Sequence, residues 1–145
     1  MPRRPPGALR AAPRAREAVS RPYSRVEGLG RSAQAAVRRV EAGRFGPGFL
    51  SRALATYEGF LRRPGRVLYL PVQDCPCCDV AGSRDDVEDI LRALPPRARR
   101  ELQRVVARLD AELERRTLPD PFAAARAPGR RHRRRPWWHR RLSGP

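Results

Sequence analysis

Apolar residues recur at three- and four-residue steps only between positions 33 and 113, and prolines or glycines close each such run. A stripe at that spacing is one face of a helix, and it must be covered by another element. The chain is therefore restricted to short helices packed on one another. Four runs carry the pattern. Ser32 is placed to cap a first helix reaching Ala42, with Ala33, Ala36, Val37 and Val40 as its stripe and Gly43 as its stop. A second helix opens at Pro47 or Gly48 and ends at Pro64-Gly65; Leu50, Ala53, Leu54, Tyr57, Phe60 and Leu61 place it at the centre of the core.

The third run begins at Ser83, read as an N-cap with Asp86 three residues on, and carries Val87, Ile90, Leu91 and Leu94. Pro95 stops it, and Pro96 suits the first position of a fourth helix ending near Arg116, with Leu102, Val105, Val106, Leu109 and Leu113 inward. The two helices over 83–116 are expected to form an αα-hairpin. Between the second and third runs, residues 66–70 read as a short extended segment, which needs a partner for its backbone groups. The fold expected is mainly α: about four helices and one extended segment in a small domain over 31–118. Disordered basic arms, 1–30 and 119–145, flank that domain, and a Cys-containing loop, 73–82, interrupts it.

Charge sharpens that division. The chain of 145 residues has 32 basic and 15 acidic side chains, for a net +17, and every basic one is Arg. Lys and Asn are absent and Ile occurs once, the mark of GC-rich coding, so position says more than the total. Residues 1–44 and 121–145 each carry a net +8, while 45–120 carry +1. The C-terminal segment has eight Arg and no acid. Such a segment attracts polyanions through a salt-screened field, and guanidinium suits phosphate in particular.

The segment also holds Trp137-Trp138. Arg130, Arg131, Arg133, Arg134, Arg135, Arg140 and Arg141 are expected to neutralise phosphates. Trp137 and Trp138 are expected to stack on bases, each stack being worth about 1–3 kcal/mol. DNA or RNA is the partner this implies, bound without sequence preference. One rival is a tail that folds its tryptophans back onto the core; a weaker one is an anionic membrane surface. A helix-turn-helix reading of 83–116 is disfavoured, because acids interleave with Arg97, Arg99, Arg100, Arg104 and Arg108, and Pro95-Pro96 replaces the usual turn. The alternative from another class is an adaptor whose 83–116 hairpin contacts a protein partner.

Cys75, Cys77 and Cys78 supply thiolates at a spacing suited to zinc. No second Cys or His pair completes a tetrahedral site, so a zinc-stabilised module ranks third. Asp74 and Asp79 beside them raise thiol pKa values, which disfavours redox chemistry. No catalytic constellation, Gly-rich phosphate loop or small-molecule site is legible, and a non-enzymatic protein is expected. No apolar stretch is long enough to span a bilayer, and Arg interrupts any secretory h-region, so a cytoplasmic location is expected.

Overall fold

The computed structural model describes residues 25–70, 79–122 and 136–143. Helix α1 spans Arg31–Val40 and continues through one wide π-helical turn, Glu41–Phe45. Helix α2 spans Phe49–Leu61, α3 Val80–Ala93 and α4 Pro96–Arg116. Strand β1, Thr117–Pro119, pairs antiparallel with β2, Arg141–Ser143, in the register Leu118 opposite Leu142. A 3₁₀ turn, Trp137–His139, leads into β2. The protein is thus mainly helical with a two-stranded sheet. No helix among the described residues is long and apolar enough to cross a membrane.

The apolar stripes meet in two clusters. The larger joins α1 to the other three helices through residues such as Val37, Leu50, Leu54, Val87, Ile90 and Leu102. The smaller gathers Tyr57, Phe60, Leu61, Leu68, Val80, Leu113 and Trp138 around the other end of α2. Leu109 packs against both clusters. Helix α3 packs most extensively on α2, while α4 covers α1 and α2. The two helices of the 83–116 hairpin touch each other less than they touch the rest of the body, and side-chain bonds close the turn between them. Leu94 and Pro95 are both extended there, and Arg99 donates to the carbonyls of Arg92 and Leu94 at 3.1 and 2.9 Å. Those bonds satisfy carbonyls that the end of α3 leaves open.

Several boundaries differ from the sequence expectation. Ser32 lies inside α1, whose N-cap position is Gly30. Gly43 lies within the π turn, and Gly46, at φ 87°, ends it. Ser83 lies one turn inside α3, and its hydroxyl donates to the Asp79 carbonyl at 3.1 Å. Starting at Val80 places that buried side chain on the same face as Val87. Residues 25–30, expected within the N-terminal arm, are also part of the folded body. Val26 and Leu29 are buried, and the Gln34 side-chain amide bonds both the N–H and the carbonyl of Val26. At Gly28 (φ 84°) a Cβ would come within 3.0 Å of Val105, so this segment lies close against α4. The extended piece 66–70 joins no strand: the Leu68 amide donates to the Arg116 carbonyl at 3.0 Å and the Leu70 amide to the Ser143 hydroxyl at 2.9 Å.

Both ends of the central helix α2 are capped by side chains from other elements. Glu41, buried in the π turn, accepts from the amides of Leu50 at 2.8 Å and Gly48 at 3.2 Å. A carboxylate at that end satisfies orphan N–H groups and complements the positive pole of the helix. At the other end the buried Arg116 guanidinium donates to the carbonyls of Leu61, Arg63 and Gly65. Glu41→Ala removes the acceptor from two amides and is expected to lower the unfolding free energy by about 1–2 kcal/mol. Glu41→Gln, which keeps one acceptor, should cost less; urea unfolding with an unchanged m-value reads both.

Candidate nucleic-acid interface

The C-terminal segment returns to the folded body. Trp138 is 9 % exposed and belongs to the smaller cluster. Its Nε1–H donates to Asp85 Oδ1 at 2.8 Å, and the neighbouring His139 Nε2 lies 2.7 Å from Asp85 Oδ2. The Arg84 guanidinium stands 4.1 Å from the Trp138 ring centroid, on its face. Trp137, half-buried, meets Trp138 edge-on with centroids 5.9 Å apart. The Arg141 guanidinium donates to Thr117 Oγ1, the Thr117 carbonyl and the Glu114 carbonyl at 2.7–2.9 Å. The Asp120 amide donates to the Arg140 carbonyl at 2.9 Å, extending the β1–β2 contact by a further bond.

This corrects the expectation of a disordered arm over 119–145 for residues 119–122 and 136–143. Trp138 is occupied on its ring face and at its N–H, so it does not present a face for a base. Arg141 is engaged with backbone carbonyls and a hydroxyl. The cause is chemical complementarity: an indole body fills an apolar gap while its N–H finds a carboxylate. Of the predicted interface, Arg140 is exposed. Arg130, Arg131, Arg133, Arg134 and Arg135 lie outside the described residues, as do Cys75, Cys77 and Cys78. Phe122 and Pro136 are the described residues that precede and follow the arginine-rich stretch in sequence. Among the described residues no group of three His, Cys, Asp or Glu is arranged to hold a metal.

Arg84 is the centre of the polar groups beneath the tail. It donates to both Asp110 oxygens at 3.0–3.3 Å and to Glu88 at 3.2 Å. Burial works against its charge, and Asp110 and Glu88 together outweigh that effect, raising its pKa. Tyr57 donates to the same Asp110 at 2.9 Å. Burial first, and Asp110 second, push the phenol far above its ordinary range, so it stays a neutral donor. Sequence reading passed over Arg84, Asp85 and Asp110. The available signal was register: Arg84 stands three residues before Val87, on the apolar stripe of α3.

The apolar face of the 83–116 hairpin is spent on the core, with Leu102 and Ile90 fully buried. What it presents outward is charge. A small crevice of about 180 Å³ lies between the hairpin and the tail, bordered by Asp79, His139, Arg141 and Trp138 among others. Comparison with known proteins finds no match among protein families, curated proteins or solved structures.

Two consequences are measurable. Trp138→Ala empties a packed site and frees Asp85 and Arg84 of a partner; about 3–5 kcal/mol should be lost in calorimetric unfolding. Asp86 behaves oppositely. Burial, then Asp89, Asp85 and Asp79, raise its pKa. A carboxyl raised on folding adds stability below its unfolded pKa and loses it as pH rises through the folded value. At neutral pH the Asp86 charge is therefore a liability. Asp86→Asn should gain about 0.2–0.5 kcal/mol there, the size of a like-charge helical pair, and the gain should vanish below the ordinary Asp range.

Proposed function

We propose that this chain is a non-enzymatic basic protein that binds nucleic acid without sequence preference. The observation that carries the reading is the charge partition: residues 121–145 hold eight Arg and no acid, beside a middle region of net +1. Arg130, Arg131, Arg133, Arg134, Arg135 and Arg140 neutralise phosphates in this reading, and binding gains free energy mainly from released counterions. The tryptophans take a different part from the one that composition suggests. With Trp138 docked on Arg84 and Asp85, they anchor the end of the basic stretch to the body instead of stacking on bases.

The test is titration of labelled DNA and RNA at several salt concentrations, with the intact chain and with R130Q/R131Q/R133Q/R134Q/R135Q. Truncation is the poorer probe because it also removes Trp138. The intact chain should bind both polymers with affinity falling linearly in log salt. The variant should lose about 0.9 from that slope per phosphate contact on duplex DNA. Salt-insensitive binding, or equal binding by the variant, contradicts the reading.

A further inference from the structure

Helix α4 carries a row of exposed guanidinium groups, outside the C-terminal segment. Arg97, Arg100, Arg104 and Arg108 follow one another at steps of three, four and four, and all four are exposed. At 100° per residue they fall within about 80° of arc, and they extend about 16 Å along the axis. None of them forms an ion pair with a described carboxylate, whereas Arg62, Arg84, Arg92, Arg115 and Arg116 all do. Arg99, between them in sequence, is turned to the carbonyls of Arg92 and Leu94 and takes no part.

The acids that interleave on the same helix are mostly committed elsewhere. Glu101, at the edge of the stripe, accepts from the Gly30 amide at 2.9 Å. Asp110 is held by Arg84 and Tyr57, and Glu112 by Arg115 and Arg116. The alternation of signs that makes this helix read as a neutral solvated face is therefore resolved by the fold into separate faces. One is a cationic ridge with small or neutral side chains beside it: Gln103 and Ala107 line a shallow depression with Arg100 and Arg104.

We infer that this ridge of α4 is a second nucleic-acid contact, fitted to the phosphate backbone of duplex DNA. The inference rests on the nucleic-acid reading above and adds the body of the protein to it. Two features favour a duplex over a single strand. The ridge carries no aromatic side chain, so it lacks the stacking platforms that single-strand binders use along successive bases. A helix is also a straight, rigid rod, and about 16 Å of duplex carries roughly five phosphate charges on each strand, regularly spaced along it. Four guanidinium groups spaced along that rod meet a regular backbone with only their own side chains left to order, and contacts to phosphate carry no sequence information.

The test uses the full chain and two variants, R97Q/R100Q/R104Q/R108Q and R130Q/R131Q/R133Q/R134Q/R135Q, titrated against random-sequence duplex DNA and against a single strand. The substituted α4 positions are exposed and Gln is a good helix former, so the fold is expected to persist. The pair variant R100Q/R104Q is a milder change in the same place. The inference expects the four-site variant to bind duplex more than about tenfold more weakly at low salt, with the slope reduced by about 3 to 4, and R100Q/R104Q by about half of that. Single-strand binding should change less. If the α4 variants bind duplex as the intact chain does, while the five-site variant is weakened, the ridge is not a contact and the reading of the C-terminal segment stands. If the intact chain does not bind DNA or RNA at all, that reading fails and the inference fails with it. Loss confined to the single strand overturns the duplex assignment.

Discussion

A buried guanidinium organises this fold. Arg84 sits on the apolar register of α3 and is withdrawn from water, a position that is costly for any unpaired charge. Its neighbours answer every side of it: Asp110 from α4, Glu88 one turn on along α3, and the face of Trp138 from the C-terminal segment. Because Asp110 also receives Tyr57 from α2, one carboxylate ties three helices together. Trp138 then continues to Asp85, which brings the end of the chain into the same network. Each member is satisfied only when the others are in place. Such a network favours one arrangement over the near-equivalent packings that a set of short apolar stripes allows.

Two groups among the described arginines contrast most sharply. Arg84, Arg99, Arg116 and Arg141 point into the molecule and donate to carboxylates or backbone carbonyls. A planar fork of fixed donors suits that task better than a lysine ammonium, since it reaches two or three acceptors at once. Arg116 shows the use most plainly, closing the C-terminal end of α2 as Glu41 closes the N-terminal end. Arg97, Arg100, Arg104 and Arg108 make no such bonds among the described residues and are exposed. A chain rich in arginine through coding bias can thus spend one part of them on its own architecture and leave another part for the proposed polyanion.

Much of the helical plan was legible because it depends on local spacing. The stripe of Leu50, Leu54, Tyr57 and Leu61 and the proline at position 96 define their helices without reference to anything distant. The failures lie where a distant partner decides. Ser83 looked like a cap because nothing nearby argued otherwise; Val80, buried against the smaller cluster, drew the helix start one turn back. Trp138 looked like a stacking platform because its partners, Arg84 and Asp85, are more than fifty residues away in sequence. The charges at Glu41, Arg84 and Arg116 each stood in apolar register, four after Val37, three before Val87 and three after Leu113. That register announced burial, but it could not name the backbone groups and carboxylates that make burial tolerable.

Central to the account is the division of labour in the C-terminal segment, with tryptophan built into the fold and arginine left for phosphate. The chain has two tryptophans, at 137 and 138, so their fluorescence reports directly on that division. The decisive measurement is the emission maximum and acrylamide quenching of the full chain, alone and with saturating single-stranded or duplex DNA at low salt. Blue-shifted emission, weakly quenched by acrylamide and unchanged by either polymer, is the predicted result. Solvent-exposed emission in the isolated chain, or strong quenching when a single strand is added, would contradict it and return the tryptophans to base stacking.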